Sequence, residues 1–226
     1  MQWLAFALVV VAAYLLGSIP TGVILGLWLK GVDVRNYGSG KTGATNSLRT
    51  LGWRISLAVF VIDGLKGAMA VWFPSIFFTN APNDWLPWVV MICAITCMLG
   101  HNYSVWIKFQ GGRGVAVGVG ELLIVSPFGW LLTFLVTFPT IFFTRYVSLG
   151  SVVGSAFTPV ALTLAVFVTG MDVRYLGFAF ATATLVIWMH RDNIRRLLNG
   201  TERKLGDKAK PVETSKAPHK EKAGQL

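Results

Sequence analysis

A helix of about 20 apolar residues crosses the hydrocarbon core of a bilayer. Runs of roughly this length recur along the chain, at 3–29, 54–78, 86–100, 148–169 and 174–190. They predict an all-α, polytopic membrane helical bundle. Composition closes off the soluble alternatives. Of 226 residues, 54% are hydrophobic and 13% charged, and the mean hydropathy is +0.61. An average soluble domain is roughly 25% charged. A soluble fold of this length would leave about a third of its residues facing water. A soluble enzyme, an extracellular disulfide scaffold and a disordered regulator are therefore excluded. The first run has no basic residues before it and stays apolar past Gly17-Ser18 to Leu29. It reads as a transmembrane helix rather than a cleaved signal.

The stretch 112–144 needs dividing. As one helix, its 33 residues would be about 50 Å long against a core of about 30 Å. Ser126-Pro127, followed by Gly129, sits near its middle. The expected division is 113–127 and 129–144. Charge supports it. Lys30, Arg35, Lys41, Arg49 and Arg54 mark 30–54 as cytoplasmic; 79–85 carries Asp84 and no basic residue, and belongs outside. Lys108, Arg113 and Arg145 return to the inside. An even number of crossings between Arg113 and Arg145 satisfies this pattern. Seven helices follow, with the N-terminus outside and the C-terminus cytoplasmic; without the division, five or six spans remain.

The formal charge is +10, and ten of the 20 Lys and Arg residues lie beyond His190. This is a positive-inside pattern, so no nucleic acid is implied. Residues 1–204 form the membrane domain. Residues 205–226 are rich in Lys, Pro, Glu and Ala without an apolar period, and read as a disordered basic tail. Cys93 and Cys97 share a helix face in an apolar run and read as small core residues. No metal-ligand spacing is present.

Four polar clusters fall on the cytoplasmic side. The first runs from Asn36 to Asn46 and then to Arg49. Gly38, Gly40 and Gly43 allow an anion-binding nest of backbone N–H groups, to which Ser39, Thr42 and Thr45 add hydroxyls. It is not a nucleotide P-loop: the glycine needed five residues before Gly40 is Arg35, and no strand precedes it. The second cluster holds Gly100-His101 and then Gly111-Gly112-Arg113-Gly114, which opens an apolar helix. A guanidinium beside a helix N-terminus is a good phosphate site. The third is the turn Arg145–Ser148. The fourth is His190 to Glu202, with His190 and Asn193 on one helical face. Its residues suit either a polyol substrate or an interfacial helix over acidic lipid headgroups. Within the spans, Asp63 and Lys66 are three apart and can pair, while Glu121 stands alone. No G-x-S-x-G elbow is present, and the H-x4-D pattern fails at Trp106 and Arg195. No general base is evident.

In these clusters the sequence resembles the PlsY family of bacterial acyl-phosphate:glycerol-3-phosphate acyltransferases. The residues that carry the likeness are Gly17–Gly22, Gly38-Ser39-Gly40, Gly43–Asn46, Arg49, Gly100-His101, Gly111–Ala116, His190, Asn193, Arg196, Gly200 and Glu202. The resemblance spans about residues 10–204. It implies acyl transfer to the 1-hydroxyl of glycerol 3-phosphate, giving lysophosphatidic acid and phosphate, the first step of phospholipid synthesis. It implies no metal and no cofactor, and a multi-pass protein of the bacterial inner membrane with its site on the cytoplasmic side. It makes Ser39, Arg49, His190 and Asn193 catalytic. Gly38, Gly40, Lys41, Thr42, Gly43, Ala44, Thr45 and Asn46 would hold the acyl-phosphate phosphate. Arg113, with Gly112 and Gly114, joins Arg49 and Ser148 on the glycerol-3-phosphate phosphate. His190 and Asn193 would face the glycerol hydroxyls, supported by Glu202. The family's mechanism is substrate-assisted, which suits the missing base. The partners implied are the two substrates, membrane lipid and the enzyme that forms acyl phosphate. The chain departs from the family with Lys41 for Asn, Gln110 for Lys and Arg113 for Lys. A transporter of a phosphorylated solute is the alternative from another class.

Overall fold

The computed structural model describes residues 2–78 and 85–212. The expected outer loop with Asp84 falls at 79–84, outside the described residues, as does 213–226 of the tail. The described residues form helices α1 (Gln2–Ser18), α2 (Thr21–Lys30), α3 (Ala44–Leu51), α4 (Trp53–Phe77) and α5 (Leu86–Asn102). They continue with α6 (Val115–Val125), α7 (Pro127–Thr144), α8 (Val147–Thr169), α9 (Tyr175–Met189) and α10 (Arg191–Leu198). Among the described residues there is no strand beyond one isolated antiparallel bridge, Tyr37 to Pro211. Five helical stretches are long and apolar enough to cross a membrane, and α6 and α9 are shorter apolar helices.

The division of 112–144 is present, with its break at Ser126. Pro127 starts α7 because a first-turn residue needs no intrahelical N–H. The Ser126 hydroxyl caps that turn by accepting from Gly129 N at 3.1 Å. Arg113 stands outside α6, two residues before its start.

The first run is not one helix as expected. It breaks at Ile19-Pro20, because proline removes a backbone donor and its ring clashes with the preceding turn. Carbonyls freed there would be costly at this depth. Distant side chains satisfy them. The Lys66 ammonium donates to Ile19 O at 2.9 Å, and the Ser104 hydroxyl donates to Ser18 O. Lys66 also pairs with Asp63 at 2.8 Å, and Thr21 donates to the same carboxylate oxygen at 2.9 Å. Asp63, Lys66 and Thr21 are all buried. The expected one-turn pair is therefore real, and it locks α4 to the broken first span.

Close backbone approach fixes the neighbouring packing. A Cβ on Gly120 would lie 1.9 Å from Gly64 O, so α6 meets α4 backbone to backbone. The core around them holds Cys93, Cys97, Met98 and Val117, and both cysteines are free and buried. Glu121 is fully buried, with both carboxylate oxygens lacking partners among the described residues. In contrast, α7 exposes Leu131, Leu135, Phe142 and Phe143, as a lipid-facing helix would.

Replacing Lys66 by Met should be strongly destabilising, by about 3–5 kcal/mol, because it leaves the Asp63 carboxylate buried and unpaired. Removing both charges with Asp63→Asn should recover part of the loss. Thermal unfolding in detergent would measure both.

Candidate active site

Three helices begin at one place. The first residues of α3 (Ala44, Thr45), α6 (Val115, Ala116) and α8 (Val147, Ser148) all line the mouth of a cavity of about 400 Å³. First-turn N–H groups have no intrahelical partner, and the helix dipole makes that end positive. From the opposite side His190 and Asn193, at the α9–α10 junction, complete the mouth. Below it the walls turn apolar, with Leu122, Trp130, Phe134, Phe138 and Phe178. A polar head over an apolar shaft fits an anion carrying a long hydrocarbon chain.

The cations at the mouth are under-partnered. Arg113 makes no hydrogen bond to the described residues, and its Nε is buried without a partner. Burial, and then the charge of Arg196, lowers its pKa to about 10, so it stays charged at neutral pH. Lys41 also lines the mouth, and burial together with Arg113 and Arg191 lowers its pKa. Burial also lowers Arg49, with Arg203 adding to the effect. Such groups await an anion.

Glu202 organises the other side. One carboxylate oxygen accepts from Ser148 Oγ at 2.9 Å and from Asn193 Nδ2 at 2.7 Å; the second accepts from Arg196 Nε at 2.7 Å. Burial works against its charge, but the bonds from Asn193, Arg196 and Ser148 outweigh it and hold its pKa below the usual value. The clasp holds Asn193 by its Nδ2 and leaves its Oδ1, a hydrogen-bond acceptor, buried without a partner among the described residues. The His190 Nδ1 lies 2.8 Å from Val186 O. A carbonyl only accepts, so Nδ1 carries the proton, and in the neutral ring Nε2 is left as an acceptor.

Most of the expected site residues meet here. Ser39, Lys41, Gly43, Ala44, Thr45, Asn46, Arg49, Arg113, Gly114, Ser148, His190, Asn193 and Glu202 line the cavity. Gly38, Gly40, Thr42 and Gly112 do not. The expected nest of inward N–H groups at 38–40 is absent, because each is already used: Gly38 N donates to Lys210 O, Ser39 N to Asn46 Oδ1, and Gly40 N to Tyr37 O. Gly38 and Gly40 serve as turns, at φ of +60° and +68°. Gly112 N donates to His101 O, and a Cβ there would strike the His101 ring at 1.9 Å. Thr42 is buried away from the cavity. Asn46 is a hub rather than a ligand: its Nδ2 reaches Val34 O, Tyr37 O and Lys41 O at 2.8, 3.0 and 2.9 Å. The Ser148 hydrogen goes to Glu202, so it is not free for a phosphate. The first residues of α3, whose N–H groups have no intrahelical partner, line the cavity instead. Of the departures, Lys41 faces the cavity, whereas Gln110 is exposed and off it. Asp63 and His101 also line the cavity and were not among the expected site residues.

A multi-pass helical membrane protein with a cationic pocket over an apolar shaft is the class that fold and site define. The sequence matches the family Glycerol-3-phosphate acyltransferase over residues 7–200. A glycerol-3-phosphate acyltransferase of Rippkaea orientalis is 40% identical over 216 residues, covering 92% of this chain and 96% of the relative. One from Thermus thermophilus is 44% identical over 197 residues, covering 87% and 94%. Crystal structures of the integral membrane glycerol 3-phosphate acyltransferase PlsY, in glycerol 3-phosphate and lysophosphatidic acid forms, superpose with TM-scores of 0.77. They are 39% and 38% identical, covering 89% of this chain and 96% of theirs. The chain belongs to the PlsY family of glycerol-3-phosphate acyltransferases. It is an integral membrane acyltransferase of phospholipid synthesis, and the transporter alternative finds no support among these relatives.

Replacing Glu202 by Gln should lower kcat/KM for glycerol 3-phosphate at least about tenfold, since hydrogen bonds to a charged acceptor exceed neutral ones. The sign of its pH dependence follows from the lowered pKa. The carboxylate's contribution is present above the ordinary value of 4.5 and is lost as pH falls through the lowered one. Unfolding midpoints measured from pH 7 downwards should show that acid-side loss in the parent and not in the variant.

Proposed function

We propose that this chain moves an acyl group from acyl phosphate to the 1-hydroxyl of glycerol 3-phosphate. The products are 1-acyl-glycerol 3-phosphate and inorganic phosphate. The observation that carries this reading is Arg113, whose Nε is buried without a partner among the described residues, lining one cavity with Lys41 and with Asn193, whose Oδ1 is likewise unpartnered among them, at the head of an apolar shaft. Two phosphates and a fatty chain suit that arrangement.

On this reading Lys41, Ser39 and the start of α3 hold the acyl-phosphate phosphate. Arg49 and Arg113, with Gly114 at the start of α6, hold that of glycerol 3-phosphate. The glycerol hydroxyls donate to Asn193 Oδ1 and His190 Nε2. The 1-hydroxyl oxygen attacks the acyl carbon, its proton passes to an acyl-phosphate oxygen, and the carbon–oxygen bond to phosphate breaks. This substrate-assisted route fits the residues. Glu202 is committed to its three donors and Asp63 to Lys66 and Thr21. No metal or cofactor takes part. The protein's contribution is placement and screening of two mutually repelling anions.

The basic residues argue for seven crossings, with the N-terminus outside and the mouth on the cytoplasmic side, and membership of the family argues for a bacterial inner membrane. There it would receive acyl phosphate from the enzyme that makes it.

The test is acyl transfer by purified protein in detergent, with palmitoyl phosphate and labelled glycerol 3-phosphate. Palmitoyl-CoA serves as the competing donor. Lysophosphatidic acid should form from acyl phosphate alone. Arg113→Ala should lower kcat/KM for glycerol 3-phosphate about 10- to 100-fold. Product from the CoA donor would overturn the donor assignment.

A further inference from the structure

Beyond Glu202 the chain does not leave the bundle. Residues 203–212 bond to three separate elements around the cavity. Leu205 N donates to Arg145 O at 2.7 Å, and Arg145 Nη2 returns a bond to Leu205 O at 3.0 Å. Ala209 N donates to Arg49 O at 3.3 Å. Gly38 N donates to Lys210 O at 2.8 Å, and Val212 N to Asn36 O at 2.9 Å. The strap thus ties the α7–α8 turn, helix α3 and the loop that carries Ser39. The first residues of the tail expected to be disordered from 205 are, through Val212, bonded to the bundle.

Its effect on Arg49 is specific. The Nη2 group donates to Arg203 O at 3.1 Å and to Lys204 O at 3.4 Å. A guanidinium has five N–H donors, and these two bonds use both on Nη2. The Nε–H and the Nη1 hydrogens remain for an anion, with the plane of the fork fixed. Displacement of a binding group by about 1 Å is enough to cost a hundredfold in rate.

We propose that residues 203–212 are a positioning strap for the phosphate site, setting the orientation of Arg49 and the placement of the Ser39 loop. The inference rests on the acyltransferase reading for its substrate. Because strap and substrate act on the same groups, linkage requires the effect to run both ways: a strap that tightens binding is itself held tighter by bound ligand.

Two truncations, removing 206–226 or 213–226, are compared with the full chain. The longer deletion should raise KM and the calorimetric Kd for glycerol 3-phosphate about tenfold, with kcat changed less than threefold. The shorter one should match the parent. Ala209→Pro and Val212→Pro each remove one strap N–H and should each raise KM, about threefold. Ala209→Ser and Val212→Ala keep the N–H and should not. In the full chain, saturating glycerol 3-phosphate should slow tryptic cleavage after Lys208 at least threefold. Unchanged KM and Kd in the long truncation and both proline variants would overturn the strap. So would a cleavage rate indifferent to ligand. If the full chain makes no lysophosphatidic acid, the acyltransferase reading fails instead, and the Kd comparison still decides the strap.

Discussion

Like charge is the constraint at the mouth of this protein. Arg113 lies close enough to Lys41, Arg49 and Arg196 for like charge to act between them, and three helix N-termini add their positive ends. Glu202 is what offsets them. By accepting from Ser148, Asn193 and Arg196 at once, it joins α8, α10 and the chain that follows. It neutralises only part of the excess, and its bonds fall on the α8–α10 side. Arg113 is left without an acceptor among the described residues. The arrangement keeps positive potential where an anion must come and removes it where it would push helices apart.

A second polar cluster does comparable work within the bundle. The broken first span frees carbonyls that water does not reach. Lys66 fills one of them while paired to Asp63, and Ser104 fills another. Thr21, just past the break, joins the same carboxylate. The break therefore ties α4 and the segment after α5 to α2. A Cβ on Gly22 of α2 would lie 2.0 Å from Thr42 O, so α2 in turn carries the loop of Ser39 and Lys41. A kink in the first span thereby reaches the site.

What could be read in the sequence follows from which groups do the holding. The division at Ser126-Pro127 was legible because length and proline both demanded it. Pro20 imposed the same local rule, but the run around it was short enough to span uncut, and its compensating donors lie 47 and 86 residues away in the chain. The glycines around Ser39 were legible as a glycine-shaped loop, though as an anion-binding nest rather than as turns. Their N–H partners were not, since Asn46 reaches back into its own loop and Lys210 comes from the far end of the chain. The strap was invisible for a related reason. Backbone N–H and C=O groups hold it, and every residue but proline offers both. A polar, aperiodic composition says only that a segment builds no core of its own.

The position of the site in the bundle follows from these same forces. An apolar shaft belongs at the depth of the lipid tails, and a phosphate belongs at the level where helices begin and N–H groups stand unpaired. Starting α3, α6 and α8 at one level places three such ends on one mouth. On the proposed reading, a substrate with a fatty chain and a phosphate lies across that boundary without crossing it. Its carbonyl carbon then falls at the boundary itself, beside His190 and Asn193. Acyl phosphate already carries a good leaving group. A strong protein base at this spot would bring another negative charge beside two phosphates, so a site of neutral acceptors and unpaired cations is the better electrostatic match to the reaction.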